Sequence, residues 1–102
     1  MLIPDKVKVG SITYQVKQEH IDKTDDGLYQ FGVTDYLNAV ITINSDYPQE
    51  RKEQTFFHEL MHAVFFESSN SDQAADERLV DSTGLMLYQV FKENELANLK
   101  KS

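Results

Sequence analysis

The sequence predicts an α+β fold, with a small antiparallel sheet of about three strands followed by two principal helices. Three observations carry this reading. The first half of the chain alternates polar and apolar residues with a period of two, and near Pro48 the period changes to 3.6. The length of 102 residues, with 40% hydrophobic and 26% charged residues, suits one folded domain over 1–102, mainly β over 1–46 and mainly α over 47–102.

In the β half, Lys6 to Val9 and Ser11 to Lys17 alternate around Gly10, which places Ile12, Tyr14 and Val16 on one face. Either one strand bulged at Gly10 or a tight hairpin satisfies the pattern. Glu19 to Gly27 is polar and ends in Asp-Gly, a surface loop. Leu28 to Tyr36 and the β-branched run Ala39 to Asn44, separated by Leu37-Asn38, form an expected antiparallel hairpin.

The α half begins at Ser45-Asp46-Tyr47-Pro48-Gln49, where Asp46 can cap, Pro48 suits the first turn and Gln49 completes a capping box. From Pro48 to about Glu67, Phe57, Leu60, Met61, Val64 and Phe65 recur with helical spacing as one core-facing stripe. Ser68 to Asp72 interrupts the pattern. A second helix is expected from about Gln73, capped by Asp72, through Glu93, continuing weakly over Glu95 to Lys100.

Composition narrows the chemistry. Asp plus Glu outnumber Lys plus Arg by 17 to 10, a formal charge of -7, which disfavours direct binding to nucleic acid. No cysteine is present, so a transition metal must be held by histidine and carboxylate. The N-terminal residues lack the apolar core of a signal peptide, and no window approaches a membrane span, so a cytoplasmic protein without membrane contact is expected.

The residues that carry chemistry are His58-Glu59-Leu60-Met61-His62. Residues four apart lie on one helix face, so His58 and His62 can aim both imidazoles at a single ion. Glu59 is rotated by about 100° from His58 and is placed to act as general base toward a water. A third ligand is needed for a catalytic site of the two-His-one-Glu type, and Glu77 in the first turn of the second helix is the candidate. Asp81, one turn further on, is positioned to accept from a ligand histidine and fix its tautomer. Gly84 on the same face lets the two helices approach closely.

Other residues compete for these roles. Asp76 is the main alternative to Glu77, whereas Glu67 lies about 140° round the helix from His62 and makes a poor ligand. Tyr88 continues the Glu77 face and reads as a core or rim tyrosine. His20, in the polar loop, reads as a surface residue with a lesser claim on stabilising a transition state. Ala39 to Asn44, just upstream of the motif, could offer a strand edge to an extended peptide.

The order of hairpin, His58-Glu59-Leu60-Met61-His62 and then Glu77-Arg78-Leu79-Val80-Asp81 resembles the gluzincin arrangement, and more closely the ImmA/IrrE-like zinc metallopeptidases of bacteria and their mobile elements. The resemblance covers most of the chain, with Val80-Asp81 where the family often has Ala-Asn. It implies one zinc ion held by His58, His62 and Glu77, with Glu59 as catalytic base. It also implies a phage or mobile-element origin and a protein or peptide substrate, such as a separate helix-turn-helix repressor. The expected activity is zinc-dependent hydrolysis of a peptide bond. The alternative is a non-catalytic zinc-containing module that antagonises a protein partner by contact, and Glu59 favours the enzyme because a structural site needs no general base.

Overall fold

The computed structural model describes residues 1–94 and Leu96. Strands β1 (Lys6–Val9) and β2 (Ile12–Glu19) form an antiparallel hairpin in which Val9 pairs with Ile12. Gly10 takes a φ of 61° while Ser11 does not turn positive, the pattern of a two-residue II′ turn with glycine leading. Gly10 therefore reverses the chain between two strands and does not bulge a single one.

Strands β3 (Gly32–Asp35) and β4 (Val40–Asn44) form the second antiparallel hairpin. Its connection is Tyr36 to Ala39, longer than the expected Leu37-Asn38. The Asp35 carboxylate holds the turn by accepting from Asn38 Nδ2 at 2.9 Å and from the Asn38 backbone N–H at 3.1 Å. These bonds, the side-chain one foremost, keep the Asp35 carboxyl below the usual range.

The α+β class is as expected, but the sheet has four strands in the order β1-β2-β4-β3, and β4 lies parallel to β2. The chain leaves β2 and crosses to the far edge before the hairpin returns β4 to the centre. A pairing between strands so distant in sequence leaves no local mark, so the mixed character was not readable from alternation. The same topology overturns the expectation that Ala39 to Asn44 offers an edge. β4 is hydrogen-bonded on both sides, with Ile41 and Ile43 fully buried, and β3 holds the edge.

Helix α1 (Gln49–Glu67) begins after Pro48 with no side-chain cap. Asp46, the expected cap, instead bonds His20 Nδ1 at 2.6 Å, and Asp22 takes His20 Nε2 at 2.9 Å. At its other end Glu67 accepts from the Tyr14 hydroxyl at 2.6 Å, which fastens the helix to β2. The core joins Tyr14, Ile41 and Ile43 of the sheet to Phe56, Phe57 and Ala63 of α1. Phe57 and Leu60 of the expected stripe do pack there, but Val64 is exposed and Phe56 and Ala63 face inward in its place. Because α1 lies between the sheet and the following helix, its buried arc is wide enough to include Glu59 and His62.

The second helical region is divided. A short α2 (Ser71–Ala74) precedes α3 (Glu77–Glu93), and the cap of α3 is Asp76, whose carboxylate accepts from the Leu79 backbone N–H at 3.1 Å. Asp72 lies inside α2 and does not cap. The expected continuation over Glu95 to Lys100 falls, Leu96 apart, outside the described residues.

Gly84 sets the distance between α1 and α3. A β-carbon there would stand 3.0 Å from the Cα and 3.1 Å from the N of His58, and 3.2 Å from the Phe57 carbonyl oxygen. These are backbone atoms of the helix that carries the motif, so they yield only if the helix shifts. Gly84→Val is expected to destabilise the fold by about 1–3 kcal/mol and to weaken metal affinity by displacing His58, measured by thermal unfolding and metal titration.

Candidate metal centre

His58 and His62 project from the same face of α1 toward the first turn of α3, with ring centroids 5.1 Å apart. Glu77, at the first position of α3, reaches back to both. Its Oε2 lies 3.2 Å from His58 Nε2 and its Oε1 3.0 Å from His62 Nε2. One ligand atom from each of the three residues lies within 4.8 Å of the others, a spacing one metal ion can span. Among the described residues no other His, Asp or Glu group converges in this way.

The tautomer of His62 follows from its partners. Nδ1 stands 2.7 Å from the Ala74 carbonyl oxygen, which can only accept, so Nδ1 carries the proton and Nε2 keeps its lone pair toward Glu77. The short helix α2 places that carbonyl, and Ala74 is buried beneath the site. Beside His58 stands Asp81, whose Oδ1 lies 3.4 Å from Nδ1, at ion-pair distance and without a formed hydrogen bond. The structure thus brings Asp81 beside His58 without the expected hydrogen bond, while the orienting group for His62 is a backbone carbonyl. No residue type signals such a carbonyl in a sequence.

Glu59 is buried beside the pair, its Oε2 4.0 Å from His58 Nε2. Burial pushes its carboxyl above the usual range, partly offset by the Thr34 hydrogen bond and the two histidines, with Glu77 adding to the rise. The Thr34 hydroxyl donates to Glu59 Oε1 at 2.8 Å and fixes the carboxylate's orientation. Gly32, one pleat earlier, lets β3 lie directly on the helix. A β-carbon there would meet Thr55 Cγ2 at 2.6 Å and Glu59 Cγ at 3.2 Å.

Two residues after Thr34, Tyr36 is stacked on Phe66 with centroids 4.1 Å apart, and its hydroxyl is 3.4 Å from His62 Nδ1. Gly32, Thr34 and Tyr36 therefore supply the wall of the site opposite Glu77. Only the strand order shows that this face meets α1.

The remaining candidates lie elsewhere. Asp76 serves as a helix cap. Tyr88 is buried in the core and donates to Glu53 at 2.7 Å. His20 is tied to Asp22 and Asp46 at the surface. Glu67 bonds Tyr14.

The site opens into a cleft on both sides. One part, of about 360 Å³, runs from His58 and Glu59 past Gly32 to Phe31 and Arg51. The other, of about 270 Å³, is bounded by Thr34, Tyr36 and His62. β3 flanks both. Asn44 N–H donates to the Phe31 carbonyl in the β3–β4 register, so the alternation turns the backbone groups of Gly32 and Thr34 away from β4 and toward the free edge.

A helix bearing His-Glu-x-x-His under an edge strand, with a carboxylate returned from the next long helix, defines a metallopeptidase-type fold with a candidate His/His/Glu metal site. The chain belongs to the Peptidase_M78 family, described as the IrrE N-terminal-like domain, whose model matches residues 11–88. That span runs from Ser11, just before β2, to Tyr88 and contains His58, Glu59, His62, Glu77 and Asp81. Comparison with the curated proteins and with the solved structures returned no match. No described helix is long and apolar enough to cross a membrane.

Proposed function

We propose that the protein is a zinc-dependent peptidase in which His58, His62 and Glu77 hold one zinc ion and Glu59 is the general base. The observation that carries the proposal is the convergence of both Nε2 atoms on the Glu77 carboxylate with Glu59 buried beside them. Two imidazole nitrogens and a carboxylate, with no thiolate in the chain, form a donor set suited to catalytic zinc. When bound, zinc supplies Lewis acidity toward a water and a peptide carbonyl.

The chain's own residues do the rest. Glu59, its carboxyl raised above the usual range by burial, takes a proton from the attacking water and returns it to the leaving amine. Thr34 keeps that carboxylate in place, and the Tyr36 phenol is a donor available to the carbonyl oxygen. An extended substrate adds to the free edge of β3, pairing with Gly32 and Thr34. The family resemblance makes a helix-turn-helix regulator the first protein to test as substrate. Removing the metal with a chelator is expected to abolish cleavage, and adding back zinc to restore it, followed by mass spectrometry of the products. Cleavage that persists in the metal-free protein contradicts the proposal.

A further inference from the structure

Arg51 is the only Lys or Arg among the described residues that line the two parts of the cleft, whose other charged groups besides the histidines are Glu59, Glu77 and Asp81. It lies seven residues before His58 on α1, hence on nearly the same helix face and about 10 Å along the axis. Its guanidinium stands over the Phe31 ring, 5.2 Å from the centroid, and Phe31 is itself braced against Tyr47 at 4.8 Å. Among the described residues no carboxylate lies within ion-pairing distance of it. A guanidinium stacked on an aromatic face keeps its N–H donors free at its edge, where they match the two oxygens of a carboxylate.

The direction of the cleft gives this group a place along a substrate. Gly32 lies against Thr55 and Thr34 against Glu59, so β3 and α1 run the same way past the site. A peptide added antiparallel to β3 runs from the Tyr36 end toward Phe31, its C-terminal side approaching Arg51. At about 3.3 Å per residue, 10 Å is about three residues beyond the one opposite His58. We propose that Arg51, held on Phe31, is a specificity-determining subsite for a carboxylate about three residues C-terminal of the bond to be cleaved. The proposal rests on the peptidase reading for its register, but the binding it describes does not require turnover.

The test uses zinc-loaded Glu59→Gln protein, so that binding is read without cleavage. Acetylated and amidated hexapeptide pools carry Glu or Gln at one fixed position, and their affinities are measured by fluorescence or calorimetry. A Glu-over-Gln preference of roughly fivefold is expected at one or two adjacent positions, the size for a partly exposed charge pair. It should be lost in a second protein that also carries Arg51→Gln and be partly kept with Arg51→Lys. Pools with a free C-terminus at the same distance distinguish a terminal carboxylate from an Asp or Glu side chain. Equal or undetectable binding of Glu and Gln pools, or a preference that survives Arg51→Gln, overturns the proposal. Absence of cleavage by the wild-type protein, with the binding preference intact, counts against the peptidase reading alone.

Discussion

Replacing Glu59 by Gln is expected to reduce peptide cleavage by about 10²- to 10⁴-fold while the metal stays bound, the loss associated with removing a general base. The substitution preserves shape and leaves an oxygen that can still accept from Thr34, so the site keeps its geometry and loses only a group able to take a proton. Glu59 is not one of the converging ligand atoms, which belong to His58, His62 and Glu77. The measurement is kcat on a cleaved peptide together with the metal content of the same preparation. Turnover at the wild-type rate would remove Glu59 from the chemistry, and loss of the metal would make it a ligand.

Replacing Glu77 by Ala is expected to weaken metal binding by at least about 100-fold, more than is typical for losing an orienting partner. The Glu77 side chain is 69% exposed and sits at the first turn of α3, where it packs against little besides the two imidazoles. The chain should therefore stay folded, and the readout is the zinc-induced rise in unfolding temperature. For wild type that stabilisation is about 2.7 kcal/mol at a metal concentration 100 times Kd, and it should fall to about 0.4 kcal/mol or less in the variant. Asp76→Ala is the matched control. It removes the cap bond to Leu79, costing about 0.5–2 kcal/mol of stability, yet should keep the metal.

The two carboxylates show how far the sequence could be read. Helical spacing alone put His58, Glu59 and His62 on one turn and Glu77 and Asp81 on another, and the structure brings these five together because Gly84 allows the helices to close. Choosing Glu77 over Asp76 depended on where α3 begins, and a break at Ala75 moved the cap from Asp72 to Asp76. The strand side of the site was far less legible. Thr34 and Tyr36 carry no pattern that sets them apart within the run Leu28 to Tyr36, and nothing there says that β3 is the edge strand or that its face rests on α1. That information resides in the parallel β2–β4 pairing, a contact between distant segments that no local pattern records. Gly32 is the one local clue, since a lone glycine in a strand marks close approach of another element.

The proposed peptidase holds one metal between α1 and α3. The most direct test is zinc analysis, with X-ray absorption at the zinc edge, of wild type and of His58→Ala after reconstitution. The expected result is about one zinc per wild-type chain, bound by two imidazole nitrogens and a carboxylate, and none retained by the variant. A wild-type chain that takes up no zinc, or a His58→Ala chain that holds it as tightly as wild type, contradicts the assignment.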